Sequence, residues 1–196
     1  MIDNPLIIKG DTLVRCGKNV PMHVMIPDGV KCIESEAFSD CESISSVVIP
    51  DSVNTIGDWA FSGCKNLTSV RLPQNNSLVL GDCIFLNCVE IVEIDIPDGV
   101  KTIPYGMFEG CSRLRRVGIP ESVAEIEKFA FKECFRLMDI QLPPDLKKIE
   151  SEAFSDCKSI IQLDLPEGLL EIGKGTFEGC TGLMTLTLPN SLTKIE

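Results

Sequence analysis

Proline stands at Pro27, Pro50, Pro73, Pro97, Pro120, Pro143, Pro166 and Pro189, a spacing of 23 residues broken only by one gap of 24 between Pro73 and Pro97. Phenylalanine keeps the same period at Phe38, Phe61, Phe85, Phe108, Phe131, Phe154 and Phe177. Cysteine follows each of them by three residues, at Cys41, Cys64, Cys88, Cys111, Cys134, Cys157 and Cys180. The segments 35–44 and 151–160 differ at one position, where Glu42 is replaced by Lys158. A period of this length constrains the fold strongly. No single unit can enclose a core, so the units must stack and share one continuous apolar interior.

Within each unit, the residues just before the proline alternate apolar and polar, as in Val70-Arg71-Leu72, Ile94-Asp95-Ile96 and Leu163-Asp164-Leu165. That is the period of a half-buried strand, one per unit, and stacking sets these strands side by side in a parallel sheet. A second apolar pair, such as Val30 with Ile33, Val100 with Ile103 and Val123 with Ile126, points inward from the opposite wall. So few residues there predict short extended pieces and single helical turns rather than long helices. The Ala-Phe dipeptide and the Cys three residues on suit one helical turn, whose i and i+3 side chains share a face. The fold expected is therefore an α/β repeat solenoid with one parallel β-sheet and extended or helical turns facing it. The proline ends each strand and presets the turn completed by the next two residues.

Residues 1–23 read as an N-terminal cap, because Leu6-Ile7-Ile8 and Leu13-Val14 flank Lys9-Gly10-Asp11-Thr12 in the manner of a hairpin. Residues 24–196 read as the solenoid, seven complete units with the last truncated at Glu196. No lid follows that end, which points to continuation, fraying or a homodimer in which two chains cover each other's exposed rungs. The long unit from Pro73 to Cys88, with Gln74-Asn75-Asn76-Ser77, is expected to bulge outward and leave the core register intact.

The chain of 196 residues carries a formal net charge of −11. That excess repels phosphate backbones and anionic lipid, so nucleic acid is a poor partner, and no apolar run is long enough for membrane insertion. Met1 to Gly10 lacks the basic stretch and cleavage site of a secretory signal, the expectation for a cytoplasmic chain. A cell-surface location would follow if an export signal had been removed.

The recurrent pattern of Pro, Val, Ile, Ala-Phe, Cys and Leu at fixed offsets resembles the BspA-like leucine-rich repeats of bacteria and some protists. The match runs from Val24 to Glu196, with departures at Ile84 and Met107, where Ala is usual, and at Asn76-Ser77, where Val is expected. The resemblance implies a right-handed superhelix and, for surface-exposed relatives, adhesion to host or matrix proteins. Other relatives begin without an export signal, and Leu6 to Pro27 looks like the start of such members.

Candidate sites are few. The seven ladder cysteines share one rung position, no C-x-x-C occurs, and an odd number cannot pair fully, so they read as buried apolar groups and not as disulfides or a metal site. Cys16 and Cys32 lie outside the ladder and are expected to be the accessible thiols. His23 is the only histidine and has no orienting carboxylate or activated nucleophile beside it. No phosphate-binding glycine loop is present, so no cofactor and no catalysis are expected.

The outward strand positions form two rows, one running Ser46, Ser69, Glu93, Arg116, Asp139, Gln162 and Thr185, the other Val48, Arg71, Asp95, Gly118, Gln141, Asp164 and Thr187. Arg71, Glu93, Asp95, Arg116, Asp139, Gln141, Gln162 and Asp164 make the expected binding face for a protein partner, because these positions vary in chemistry while the inward ones do not. Glu93 and Asp95, about 6.5–7 Å apart along one strand, also have the spacing of a glycan-hydrolysing pair, with no burial to raise either acid. Asp28, Asp51, Asp98, Glu121 and Glu167 form a third row after the prolines. Turn chemistry accounts for them, with a weak calcium stripe as the alternative.

Overall fold

The computed structural model describes residues 5–17 and 19–196, so residues 1–4 and 18 of the expected cap lie outside it. Strands β1 (Leu6–Lys9) and β2 (Thr12–Cys16) form the expected hairpin, antiparallel about a two-residue turn. The following strands alternate between two walls. The first wall holds β3 (His23–Met25), β5 (Ser46–Val48), β7 (Ser69–Arg71), β9 (Glu93–Asp95), β11 (Arg116–Gly118), β13 (Asp139–Ile140), β15 (Gln162–Asp164) and β17 (Thr185–Thr187). The second holds β4 (Cys32–Ile33), β6 (Thr55–Ile56), β8 (Val79–Leu80), β10 (Thr102–Ile103), β12 (Glu125–Ile126), β14 (Lys148–Ile149), β16 (Glu171–Ile172) and β18 (Lys194–Ile195). Neighbouring rungs pair in parallel on both walls, with residue partners such as Val47 and Val70, or Ile126 and Ile149.

The expectation of an α/β solenoid with one parallel sheet is corrected here, because, of the extended or helical turns expected opposite it, only the extended pieces occur, and they pair into a sheet of their own. There are two parallel walls, and no helix occurs among the described residues. Each Phe does bring its Cys round on an i to i+3 turn, the Cys amide donating to the Phe carbonyl at 3.0 Å in rungs such as Phe38 to Cys41 and Phe108 to Cys111. A helix cannot grow from that turn because the residues two before and two after each Phe are left-handed. The first column runs Glu36, Trp59, Cys83, Gly106, Phe129, Glu152, Gly175, and the second Asp40, Gly63, Asn87, Gly110, Glu133, Asp156, Gly179, all with φ between 52° and 74°. Their amides reach instead to the next rung, and this third wall is hydrogen-bonded rung to rung without being a strand, as in Phe38 N to Ala60 O at 2.7 Å.

All seven rings stack along the axis, with centroids 4.9 to 5.9 Å apart and planes within 18°. The spacing follows the residue before each Phe. Where both neighbours carry Ala the rings sit 4.9 Å (Phe38, Phe61) and 5.1 Å (Phe131, Phe154) apart, whereas Ile84, Met107 and Thr176 hold them at 5.5 to 5.9 Å. The departures from Ala thus change ring spacing and leave Ile84 and Met107 fully buried. The cysteine ladder is inward as expected and has a further role: each thiol from Cys64 to Cys180 donates to the carbonyl of the Phe one rung back, at 3.0 to 3.2 Å.

The long unit does more than bulge. The hydrogen-bonded ladders are interrupted there on both walls, between β7 and β9 and between β8 and β10. The core register survives, since Phe61, Phe85 and Phe108 remain stacked across it. Asn75 closes the irregular turn by donating its side-chain amide to Val53 O at 2.6 Å and Asp51 O at 3.0 Å. The first wall breaks again between β13 and β15, beside Pro143-Pro144. Gly57 shows how closely the rungs approach, because a Cβ there would lie 2.5 Å from the Ser35 amide nitrogen. At the last rung, Leu188 and Ile195 are 52% and 62% exposed while their equivalents one rung back, Leu165 and Ile172, are each 5% exposed.

Candidate functional site

The first wall displays the expected rows. Pairing of β9, β11 and β13 sets Glu93, Arg116 and Asp139 on adjacent rungs, and pairing of β15 with β17 sets Asp164 beside Thr187. Arg71, Glu93, Asp95, Asp139, Gln141, Gln162 and Asp164 are exposed, and Arg116 is half-buried. Arg116 is the centre of the surface. Its guanidinium reaches back one rung to grip Asp95 through two hydrogen bonds, at 2.8 and 3.2 Å, and touches Glu93 at 3.5 Å. Asp95 first, and Glu93 after it, hold the Arg116 pKa above its ordinary value. Gly118 makes this possible, because a Cβ at that position would collide with the Asp95 carboxylate.

This geometry answers the glycan-hydrolase reading of Glu93 and Asp95. One cation, Arg116, pairs with both acids, and both are exposed, with no burial to raise either as a general acid. Elsewhere the rows are tied by short polar links: Gln162 donates to Asp164 at 3.1 Å, Thr187 to Asp164 at 2.8 Å, and Arg71 pairs with Asp51 at 3.4 Å. The break between β7 and β9 opens a groove of about 410 Å³ that includes Arg71, Gln74, Glu93 and Asp95 in its lining. A smaller one, about 220 Å³, lies between Arg116, Gly118, Asp139 and Gln141.

Two of the post-proline acids, Asp51 and Glu167, serve the backbone. Asp51 accepts the Gln74 amide at 2.9 Å and Glu167 the Asn190 amide at 3.3 Å, each one rung on. Among the described residues no group of three or more His, Cys, Asp or Glu side chains is placed to hold a metal ion. His23, exposed on β3, bonds through Nδ1 to Ser46 Oγ at 2.8 Å. Cys16 and Cys32 are both partly exposed, and Cys16 also packs against the core.

Two features escaped the sequence reading. One residue ahead of the first row, Met138, Ile161 and Met184 form a stripe on three consecutive rungs, 56%, 60% and 86% exposed. These positions were visible in the repeat, but a position outside the strand carries no inward or outward assignment from a period of two. The second is a cluster on the turn wall. Trp59 and Phe129 occupy left-handed positions that bulky side chains rarely adopt, and Phe129 meets Tyr105 edge-on at 5.5 Å with Lys128 and Lys132 each 4.5 Å from its ring centre. Burial raises the pKa of Asp82, Glu109 and Glu127 around them, and pushes the Cys83 thiol up to about 11.

Two parallel strand walls, an aromatic spine and a decorated outer face define a repeat scaffold of the leucine-rich-repeat class. The chain belongs to the BspA-type leucine-rich-repeat family, whose pattern matches residues 18–117 and 78–196 in six copies. A leucine-rich repeat protein of Eubacterium ventriosum superimposes with a TM-score of 0.80 at 29% identity over 87% of this chain. This chain spans 46% of that protein's length. The leucine-rich repeat protein TpLRR of T. pallidum matches at 30% identity and a TM-score of 0.61, covering 94% of this chain and 77% of that one. The pneumococcal vaccine antigen PcpA shares the fold at 18% identity and a TM-score of 0.53, over 94% of this chain and 69% of its own. No curated protein matches the sequence.

Proposed function

We propose that the chain is a non-catalytic scaffold that docks a protein partner along its first wall. The observation that carries this reading is the Met138, Ile161 and Met184 stripe, which lies beside Asp139, Gln162 and Thr185 of the first row. Apolar anchors rimmed by polar and charged groups are the anatomy of a protein interface, and methionine adapts its shape to the surface it meets. The rim supplies Glu93, Asp95, Asp139 and Asp164 against Arg71 and Arg116, so the partner's complementary surface is an apolar patch bordered by Lys or Arg. Arg116 is held by its two acids in a fixed geometry, which lowers the entropy lost on docking.

Affinity capture from the source organism tests the reading. A partner retained by the wild-type chain is expected to be lost from a Met138→Ser/Met184→Ser variant and from an Asp139→Lys/Asp164→Lys variant. Both sets are exposed, so each substitution should leave stability within about 0.5 kcal/mol of wild type. Capture that survives both variants and disappears on mutating Lys101 and Lys148 of the second wall would place the interface elsewhere.

A further inference from the structure

The six ladder thiols from Cys64 onward each have a Phe carbonyl one rung back to donate to, and Cys41, the first of the series, has none. What stands in that place is the cap. In each rung the Phe amide donates to the residue preceding the next rung's Phe, as Phe38 N does to Ala60 O and Phe61 N to Ile84 O. Cys16 N donates to Ala37 O at 2.6 Å, so Cys16, at the end of β2, heads the phenylalanine column while Cys41 heads the cysteine column. Since every other ladder sulfur lies 3.0 to 3.2 Å from the backbone of the residue heading the rung before it, this register brings the Cys41 sulfur against Cys16. Cys41 Sγ also lies 3.5 Å from Ser43 Oγ.

We propose that Cys16 and Cys41 are a reactive thiol pair that closes to an intramolecular disulfide, locking the cap hairpin onto the first rung. Cys41 is the attacking group. The Cys16 thiol, then the Ser43 hydroxyl and the Ser43 and Ile44 amides, stabilise its thiolate and hold its pKa below the ordinary cysteine value, against the effect of burial. Cys16 is raised in turn, first by the neighbouring Cys41 and then by burial. The deeper ladder thiols are pushed the other way by burial, Cys111 up to about 12 and Cys134 and Cys157 well above the ordinary cysteine value. With a low-molecular-weight disulfide such as glutathione disulfide as oxidant, the Cys41 thiolate attacks one sulfur and expels a glutathione thiolate, which takes up a proton. Cys16 then gives up its proton, attacks the Cys41 sulfur of the mixed disulfide and expels the second glutathione. Two protein thiols are oxidised and one reagent disulfide is reduced to two thiols.

The test uses the whole chain, folded, incubated with glutathione disulfide, alkylated and peptide-mapped. The expected product is one Cys16–Cys41 disulfide, with a rise in Tm because the bond closes a loop of about 25 residues. A Cys16→Ser variant, lacking the second thiol, should stop at a glutathione adduct on Cys41, and Cys41→Ser should give neither product. Iodoacetamide at neutral pH should modify Cys41 at least about tenfold faster than Cys111. If Cys41→Ser does not fold, the Cys16→Ser adduct and the alkylation rates decide the matter. An adduct on Cys32 with Cys16 and Cys41 both still reduced, or a Cys16→Ser adduct on any other cysteine, overturns the proposal.

Discussion

The aromatic spine makes stability depend on position along the rod, and Phe108→Ala measures that dependence. Phe108 is fully buried between Phe85 at 5.7 Å and Phe131 at 5.5 Å, each ring nearly parallel to it. Truncation removes a fully buried side chain whose transfer is worth about 1.5–3 kcal/mol, and opens a cavity that rungs fixed on all three walls cannot collapse into. The total expected is about 3–5 kcal/mol. Phe177 gives the internal control, since it is only partly buried and stacks on one neighbour, Phe154, at 5.9 Å. Losing one stacked partner rather than two, and less buried area, should hold the cost of Phe177→Ala to about half, roughly 1.5–2.5 kcal/mol. Urea unfolding followed by circular dichroism reads both, as shifts in midpoint at constant slope. Hydrogen exchange should place the loosened amides of Phe108→Ala in the rungs carrying Phe85, Phe108 and Phe131 and not at the cap. Equal costs for the two substitutions, within about 0.5 kcal/mol, would refute the idea that each ring is stabilised by its two axial neighbours.

Two other outcomes follow from close approach and from burial. Gly57→Ala should destabilise by about 1–3 kcal/mol in the same unfolding assay, because the new methyl meets the backbone of Ser35, which cannot move without disturbing the second wall. Glu109→Gln should raise Tm at pH 7, since burial, only partly offset by Lys132, lifts the Glu109 pKa. A carboxyl with a raised folded-state pKa contributes stability that is complete below its unfolded value, about 4.3, and is lost as pH rises through the folded value. The Tm advantage of the variant should therefore shrink to nothing near pH 4, and an advantage independent of pH would show that charge at Glu109 is not its source.

The stacking direction, the inward ladders and the outward rows were legible because one repeat constrains all the others. Phe108 and Cys111 could be placed inside from seven copies of the same pair, and Arg116 could be placed outside because it alternates with Val117. Short extended pieces on the opposite wall were legible, but their pairing into a second parallel wall was not. Its strands are two residues long, too short for alternation to register, and only their rung-to-rung pairing makes Thr102-Ile103 or Lys148-Ile149 a strand. The missing helical turn has a different origin. Glycine at Gly63, Gly106, Gly110, Gly175 and Gly179 hinted at left-handed positions, but Glu36, Trp59 and Phe129 at the equivalent places hid the column, because tertiary hydrogen bonding overrides their own preference. The bridging of Glu93 and Asp95 by Arg116 was likewise out of reach, since it depends on which way one flexible side chain folds over a glycine.

The choice of cysteine for the ladder follows from what the position must satisfy. Each Phe carbonyl from Phe38 to Phe154 accepts its own rung's Cys amide and has a second lone pair facing the next rung, in a region closed to water. Alanine or valine would leave that lone pair without a partner. Serine would meet it, but would bury a hydroxyl with a stronger demand for water than a thiol has. Cysteine supplies a weak donor on an apolar, polarisable atom of the right size, so the same residue fills the corner and completes the carbonyl's hydrogen bonding. That solution holds only where a rung precedes. At Cys41 no Phe carbonyl precedes, and Cys16, at the end of the cap, heads the column in its place. The chemistry available at the cap is therefore a boundary effect of the repeat itself.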